Sequence, residues 1–179
     1  MRHLIDFGDL TRAEWESLYQ RCSDIMDHPA DFMDACRGRV MASLFYEPST
    51  RTNFSFQTAM LRVGGTVFGF ADPKSTSTAK GETLKDTIKM VSGYADVVVM
   101  RNPKEGAAKA ASLYSDVPVI NAGDGGHMHP TQTTADLTTI TRLRGKVDGL
   151  SVGLCGDLKN GRTVHSLIKA LAKFEGCLL

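Results

Sequence analysis

The sequence predicts an α/β fold: a doubly wound parallel sheet with the start of a second α/β domain. Three observations predict it. Short apolar runs alternate with helix-period segments in a β-α-β-α-β-α order, the pattern of a parallel sheet. The runs are continuously apolar, as strands are when helices cover both faces. Polar segments follow the runs that end at Phe45, Phe70, Met100, Asn121 and Cys155, where ligands bind in such sheets.

The elements follow in order. Over residues 11–26, Trp15, Leu18, Tyr19, Cys22 and Ile25 recur at helical spacing, and Thr11 with Glu14 makes a capping box. Asp27, His28 and Pro29 end that helix. The run Val40–Phe45 reads as a buried strand, broken by Pro48 and Ser49. Residues 51–63 read as a helix stopped by Gly64 and Gly65, and Thr66–Phe70 is β-rich. The Ser- and Thr-rich stretch 72–80 is the least structured part by composition. Leu84, Ile88 and Val91 set a helix over 81–94, and 97–100 is a buried strand. A helix over 107–114, a strand over 117–121 and a helix over 131–143, closed by Arg144 and Gly145, come next. A strand over 150–155, a helix over 162–174 and a strand begun at 177–179 complete the pattern. The chain stops inside an apolar run, so the expectation is a truncated chain or a second domain only begun.

The bulk properties set limits. A chain of 179 residues fits one domain, or one and part of a second. With 42% hydrophobic and 23% charged residues it is an ordinary globular composition. A formal charge of +1 gives no reason to expect nucleic acid or a membrane surface as partner, so any anion site must be local. Cys22, Cys36, Cys155 and Cys177 form no C-x-x-C pair and no zinc-finger spacing. They read as buried or partly buried thiols in a reducing cytosol. The N-terminus lacks an apolar signal region, and no run approaches the roughly 20 residues a membrane span needs. The reading is a cytoplasmic, cofactor-poor protein.

Chemistry concentrates after the strands. Glu47-Pro48-Ser49-Thr50-Arg51-Thr52-Asn53 ends a strand, turns at a proline and opens a helix with hydroxyls and an arginine. Helix N-termini present unpaired N–H groups and partial positive charge, so they bind phosphate. Ser49, Thr50 and Thr52 add donors, and Arg51 adds a planar fork suited to phosphate oxygens. The plainer reading makes Ser49 or Thr50 only an N-cap. A cation in the first turn opposes the helix dipole, which points to an anion that offsets it.

Arg101 stands at the carboxyl end of its strand; the alternative is a solvated surface arginine. In the glycine-rich loop before the next helix, His129 is placed to donate to a carbonyl oxygen, with Gln132 one turn on. His127 reads as loop structure or solvent-facing. His127 and His129 at i, i+2 have no third ligand placed by sequence, so no metal is expected. Lys80 is a mobile cation able to close over an anion. Gly156 to Ser166 forms a glycine-rich strand-to-helix turn that does not fit G-x-G-x-x-G, and Arg162 there repeats the logic of Arg51 for a second anion such as a carboxylate.

Together these motifs resemble the aspartate/ornithine carbamoyltransferase superfamily, and within it the aspartate carbamoyltransferase catalytic chains. Phe45 to Thr52 is similar to the carbamoyl-phosphate motif of that superfamily. His129-Pro130-Thr131-Gln132, Lys80-Gly81-Glu82-Thr83 and the 156–166 segment resemble aspartate-branch motifs. Asn53 and Thr131 point away from the ornithine branch, the alternative acceptor. The resemblance spans essentially the whole chain.

It implies carbamoyl transfer from carbamoyl phosphate to the amine of L-aspartate, in pyrimidine synthesis. Ser49, Thr50, Arg51 and Thr52 would hold the phosphate. Arg101, His129 and Thr52 would polarise the carbamoyl oxygen, and Gln132 would hold the carbamoyl nitrogen. Arg162 would pair with an aspartate carboxylate. Lys80, with Thr76 or Ser77, would reach a neighbour's site in a homotrimer with shared active sites. The resemblance implies no cofactor and no metal, and it leaves a separate regulatory chain open. It divides the chain into a carbamoyl-phosphate domain (1–130), a connecting helix (131–145) and the beginning of an aspartate-binding domain (146–179). The alternative function is an inactive or binding-only fragment that keeps the carbamoyl-phosphate site.

Overall fold

The computed structural model describes residues 2–178, apart from the side chain of Ser75. Strands β1 (Val40–Phe45), β2 (Thr66–Phe70), β3 (Val97–Asn102) and β4 (Val119–Asp124) form one sheet in the order β2-β1-β3-β4. Every pairing is parallel. The helices are α1 (Arg12–Asp27), α2 (Thr50–Arg62), α3 (Leu84–Ser92), α4 (Ala107–Tyr114), α5 (Pro130–Arg144) and α6 (Arg162–Leu171).

Successive strand residues point to opposite faces, and the buried residues divide accordingly. Ala42, Leu44, Val98, Met100 and Val119 pack under Ile88 and Val91 of α3 and Ala107, Ala108 and Ala111 of α4. Met41, Phe45, Val99 and Ala122 pack on the other face with Met60 of α2. Both faces are thus covered, which is why the strands carry no polar alternation. A third cluster joins Phe7, Leu10, Trp15, Leu137, Ala170, Leu171 and Phe174, tying α1, α5 and α6 together.

The chain leaves β1 toward β2, then crosses back to β3 on the other side of β1. The adjacent carboxyl ends of β1 and β3 therefore flank the crevice where the strand order reverses. At the register β1 ends with Phe45 beside Arg101 of β3, so Arg101 starts at the rim of that crevice. Gly69 of β2 lies opposite Ser43, and a Cβ there would sit 1.9 Å from the Ser43 carbonyl oxygen. Only glycine permits this pairing.

Some expectations change. The 72–80 stretch is two 3-10 turns, Pro73–Ser75 and Ser77–Lys80, because the Asp72 and Thr76 side chains cap the backbone N–H groups of Lys74 and Thr78. The expected strand at 150–155 reduces to one parallel bridge between Ser151 and Leu178, and no strand among the described residues pairs with it further. Leu179, at the end of the expected strand 177–179, lies outside the described residues. The strand expected at 117–121 begins later and runs on to Asp124. Leu4, given no role by sequence, bridges Ile120 in parallel and covers the outer edge of β4. Cys155 is exposed rather than buried, and Cys22, Cys36 and Cys177 are half-buried free thiols. Among the described residues, no helix is long and apolar enough to cross a membrane.

Candidate active site

α2 opens where β1 has just ended, and Pro48 turns the chain between them. Its first turn has no acidic residue. Ser49 occupies the N-cap position, yet its side chain makes no capping bond. Ser49 is thus the N-cap by position but not by hydrogen bond, and its hydroxyl takes no protein partner among the described residues. The hydroxyls of Thr50 and Thr52 likewise take no protein partner among the described residues, and Arg51 is exposed without an ion pair. The helix start is fixed from behind instead. Buried Asn53 accepts from the Ser43 hydroxyl at 2.8 Å and from Gln57 at 2.7 Å, pinning α2 to β1.

Two further guanidinium groups meet this turn. Arg101 donates from Nε to Glu47 Oε1 at 2.6 Å. Arg162, the first residue of α6, donates from Nη1 to the same oxygen at 3.3 Å and to the Gly125 carbonyl at 2.6 Å. Glu47 therefore holds both forks in place and offsets one of the two charges. Gly123, at φ +118°, lies beneath them; a Cβ there would stand 3.3 Å from Cζ of Arg162 and 3.6 Å from Nη1 of Arg101. Burial pushes the Arg101 pKa down, and the charge of Arg162 adds to this.

The loop between β4 and α5 brings in His129. Asp124, 1% exposed, folds that loop. Its carboxylate accepts from Asn121 Nδ2 at 3.1 Å and from the N–H groups of Met128 at 3.0 Å and Gly106 at 2.9 Å. His127, which sequence reads as loop structure, pairs with this carboxylate at 3.3 Å. The His129 N–H donates to buried Ser166 Oγ of α6 at 2.9 Å. The residue is 8% exposed, and burial followed by the charges of Arg162 and Arg101 lowers its pKa to about 4. The imidazole is neutral at pH 7.

These residues line one pocket of about 640 Å³: Ser49, Thr50, Arg51, Thr52, Arg101, His129, Gln132 and Arg162, with Pro48, Ser55 and Thr163. Eight of the nine predicted site residues are thus brought together. Lys80 is the exception; it is exposed and does not line the pocket. Gln132 lies at the rim and donates to Asp136 Oδ1 at 2.9 Å. Of the two loop hydroxyls, Thr76 is spent within its turn on the Pro73 carbonyl, and Ser77 takes no partner among the described residues.

Sequence reasoning gave no role to Glu47, Ser55 or Thr163. Glu47 has a legible signal, since two arginines at neighbouring strand ends require an acid. Ser55 stands one helical turn after Thr52, on the same face. A larger cleft of about 780 Å³ lies beside His3 and Leu4, but it mixes Arg2 and Arg21 with Glu14 and Asp24 and gathers no comparable set of cations and hydroxyls. Among the described residues no three His, Cys, Asp or Glu side chains are grouped to hold a metal. The pocket can bind an anion and direct donors at an oxygen that gains negative charge.

Known proteins carry the same architecture. The solved structure of aspartate transcarbamoylase from Trypanosoma cruzi in complex with carbamoyl phosphate and aspartate superposes with a TM-score of 0.92 at 39% identity, over 98% of this chain and 59% of that one. The catalytic subunit of M. jannaschii aspartate transcarbamoylase gives 0.90 at 48% identity, over 99% and 58%. The aspartate carbamoyltransferase catalytic subunit of Clostridium perfringens is 56% identical over 174 residues, 97% of this chain and 57% of its own length. The chain thus spans well under two thirds of these relatives. The family described as aspartate/ornithine carbamoyltransferase, carbamoyl-P binding domain, matches residues 2–142. With that match over most of its length, the chain belongs to the aspartate/ornithine carbamoyltransferase family.

Proposed function

We propose that this chain transfers a carbamoyl group from carbamoyl phosphate to the amine of L-aspartate, giving N-carbamoyl-L-aspartate and phosphate in cytoplasmic pyrimidine synthesis. The observation that carries this reading is one pocket at the β1/β3 crevice, where unspent hydroxyls, Arg51, Arg101 and a neutral His129 converge. Ser49, Thr50, Arg51 and Thr52 hold the phosphate. Arg101, His129 and Thr52 face the carbamoyl oxygen, and Gln132 the carbamoyl nitrogen once it leaves Asp136. The amine nitrogen bonds to the carbamoyl carbon, the carbon–oxygen bond to phosphate breaks, and the departing phosphate takes the amine proton. A neutral imidazole suits this step, because it donates to the oxygen without a proton change. Each such donor is worth about 10²–10³ in rate where it meets the developing charge. Holding both substrates together removes the entropy of their encounter.

Arg162 serves the aspartate carboxylate. Lys80 serves a neighbour's site in a homotrimer; that it is exposed and does not line this chain's pocket favours that role, and the unspent hydroxyl favours Ser77 over Thr76 beside it. Residues 1–130 form the carbamoyl-phosphate domain, 131–145 the connecting helix and 146–179 the beginning of the aspartate domain. A regulatory chain is compatible with this arrangement, and no cofactor is required by it.

A second reading is that these 179 residues bind carbamoyl phosphate without turning it over. Their 57% share of the relatives' length favours it. Product formation from carbamoyl phosphate and aspartate, with calorimetry for each ligand, separates the two. Turnover that collapses in Arg51→Ala and His129→Ala supports transfer. Carbamoyl-phosphate binding without turnover supports the second reading, and absence of binding refutes both.

A further inference from the structure

We infer that Thr131 is a positioning residue that fixes the proton of His129 on Nε2. The observation is geometric. Thr131 Oγ1 lies 3.3 Å from His129 Nδ1, and no other partner of that ring is present among the described residues. A neutral imidazole has one donor nitrogen and one acceptor nitrogen, and the hydrogen bond made by one decides the state of the other. The contact itself suits either direction, since a hydroxyl both donates and accepts; but the Thr131 hydroxyl has no other acceptor among the described residues, so its proton finds a protein partner only when Nδ1 accepts it. Thr131 does not line the anion pocket, whereas His129 does. A ligand there does not compete for the hydroxyl.

The inference rests on the proposed reading of the pocket. With the Thr131 proton directed at Nδ1, Nε2 carries N–H and can donate to a carbamoyl oxygen. The reverse tautomer would offer that oxygen only a lone pair. The lowered pKa of the ring agrees, because a second proton that would make both nitrogens donors is excluded near neutrality. Thr131 sits at the second position of α5, directly after Pro130, whose fixed φ suits a helix start. The hydroxyl and the ring are thus held by the same turn.

The test uses the whole chain labelled with ¹⁵N-histidine, with the His129 signals assigned by their loss in His129→Gln. The expected wild-type pattern is a pyrrole-type Nε2 and a pyridine-type Nδ1. Thr131→Val should shift this toward a mixture, and Thr131→Ser should restore it. Carbamoyl-phosphate affinity should fall by roughly three- to tenfold in Thr131→Val, the size of one hydrogen bond. Inorganic phosphate, which has no carbamoyl oxygen, should bind both chains alike. A wild-type His129 protonated on Nδ1 overturns the inference even if Thr131→Val fails to fold, and so does an unchanged tautomer in that variant. Failure of the functional reading looks different: the wild type would bind carbamoyl phosphate no better than phosphate, while the tautomer pattern stood.

Discussion

Lowering the pH should destabilise this chain through His129 before its carboxylates contribute. The ring is held neutral, with a pKa of about 4 against an ordinary 6.5. The folded state therefore refuses a proton that the unfolded state accepts between those values. Stability contributed by this group is complete above pH 6.5 and is lost as the pH falls toward 4. Working from the two values, the loss is about 2 kcal/mol at pH 5 and about 3 kcal/mol at pH 4, at 1.36 kcal/mol per unit. The ring lines the pocket and is only partly shielded from water, so these figures are upper bounds. Asp27, Asp96 and Asp148 act in the opposite sense of shift. Arg142, the Val40 N–H with Arg39, and Arg12 respectively hold their pKa values below the usual 3.8. Their contributions are present above 3.8 and are lost only at lower pH. The difference between urea denaturation of the chain and of His129→Gln, from pH 7 to 4.5, isolates His129 from His3. The wild type should lose stability steeply below pH 6.5, and the variant should keep only the loss that comes from His3, whose pKa burial also lowers. Parallel pH profiles would refute a buried neutral imidazole.

Other substitutions probe the remaining parts of the pocket and sheet. Arg51→Ala should weaken phosphate roughly ten- to a hundredfold, the worth of a charge-assisted hydrogen bond, and leave the urea midpoint almost unmoved because Arg51 is exposed and takes no partner among the described residues; calorimetry at fixed salt reads it. Glu47→Gln should destabilise the chain by about 2–4 kcal/mol, since Arg101, with 12% side-chain exposure, loses its anion. Added phosphate should recover part of that loss by binding the folded state, as thermal melts with and without phosphate will report. Gly69→Ala should cost about 3 kcal/mol or more, because its Cβ would overlap the Ser43 carbonyl and part β1 from β2. Circular dichroism on heating measures it, and a wild-type midpoint would contradict the pairing.

How far the sequence alone reaches can be judged residue by residue. Thr11 with Glu14 marked the start of α1 because a capping box is a local interaction, and it is found with both bonds made. Continuous apolar runs marked β1 and β3, since burial on both faces leaves a pattern that needs no partner to be read. Ser49, Thr50, Arg51 and Thr52 were legible for the same reason: strand end, turn and helix start lie within a few residues. The order β2-β1-β3-β4 was not legible in detail, because pairing is decided between segments distant in the chain. Nor was the tie between Glu47, Arg101 and Arg162, where the acid and Arg162 stand 115 residues apart. The neutral state of His129 also belongs to the tertiary structure, for it arises from burial and two guanidinium groups carried by other elements. Motifs of hydroxyls and cations determine what this chain can bind; the crevice between β1 and β3 decides which of them meet, because charge and desolvation act through space and the chain's order does not record them.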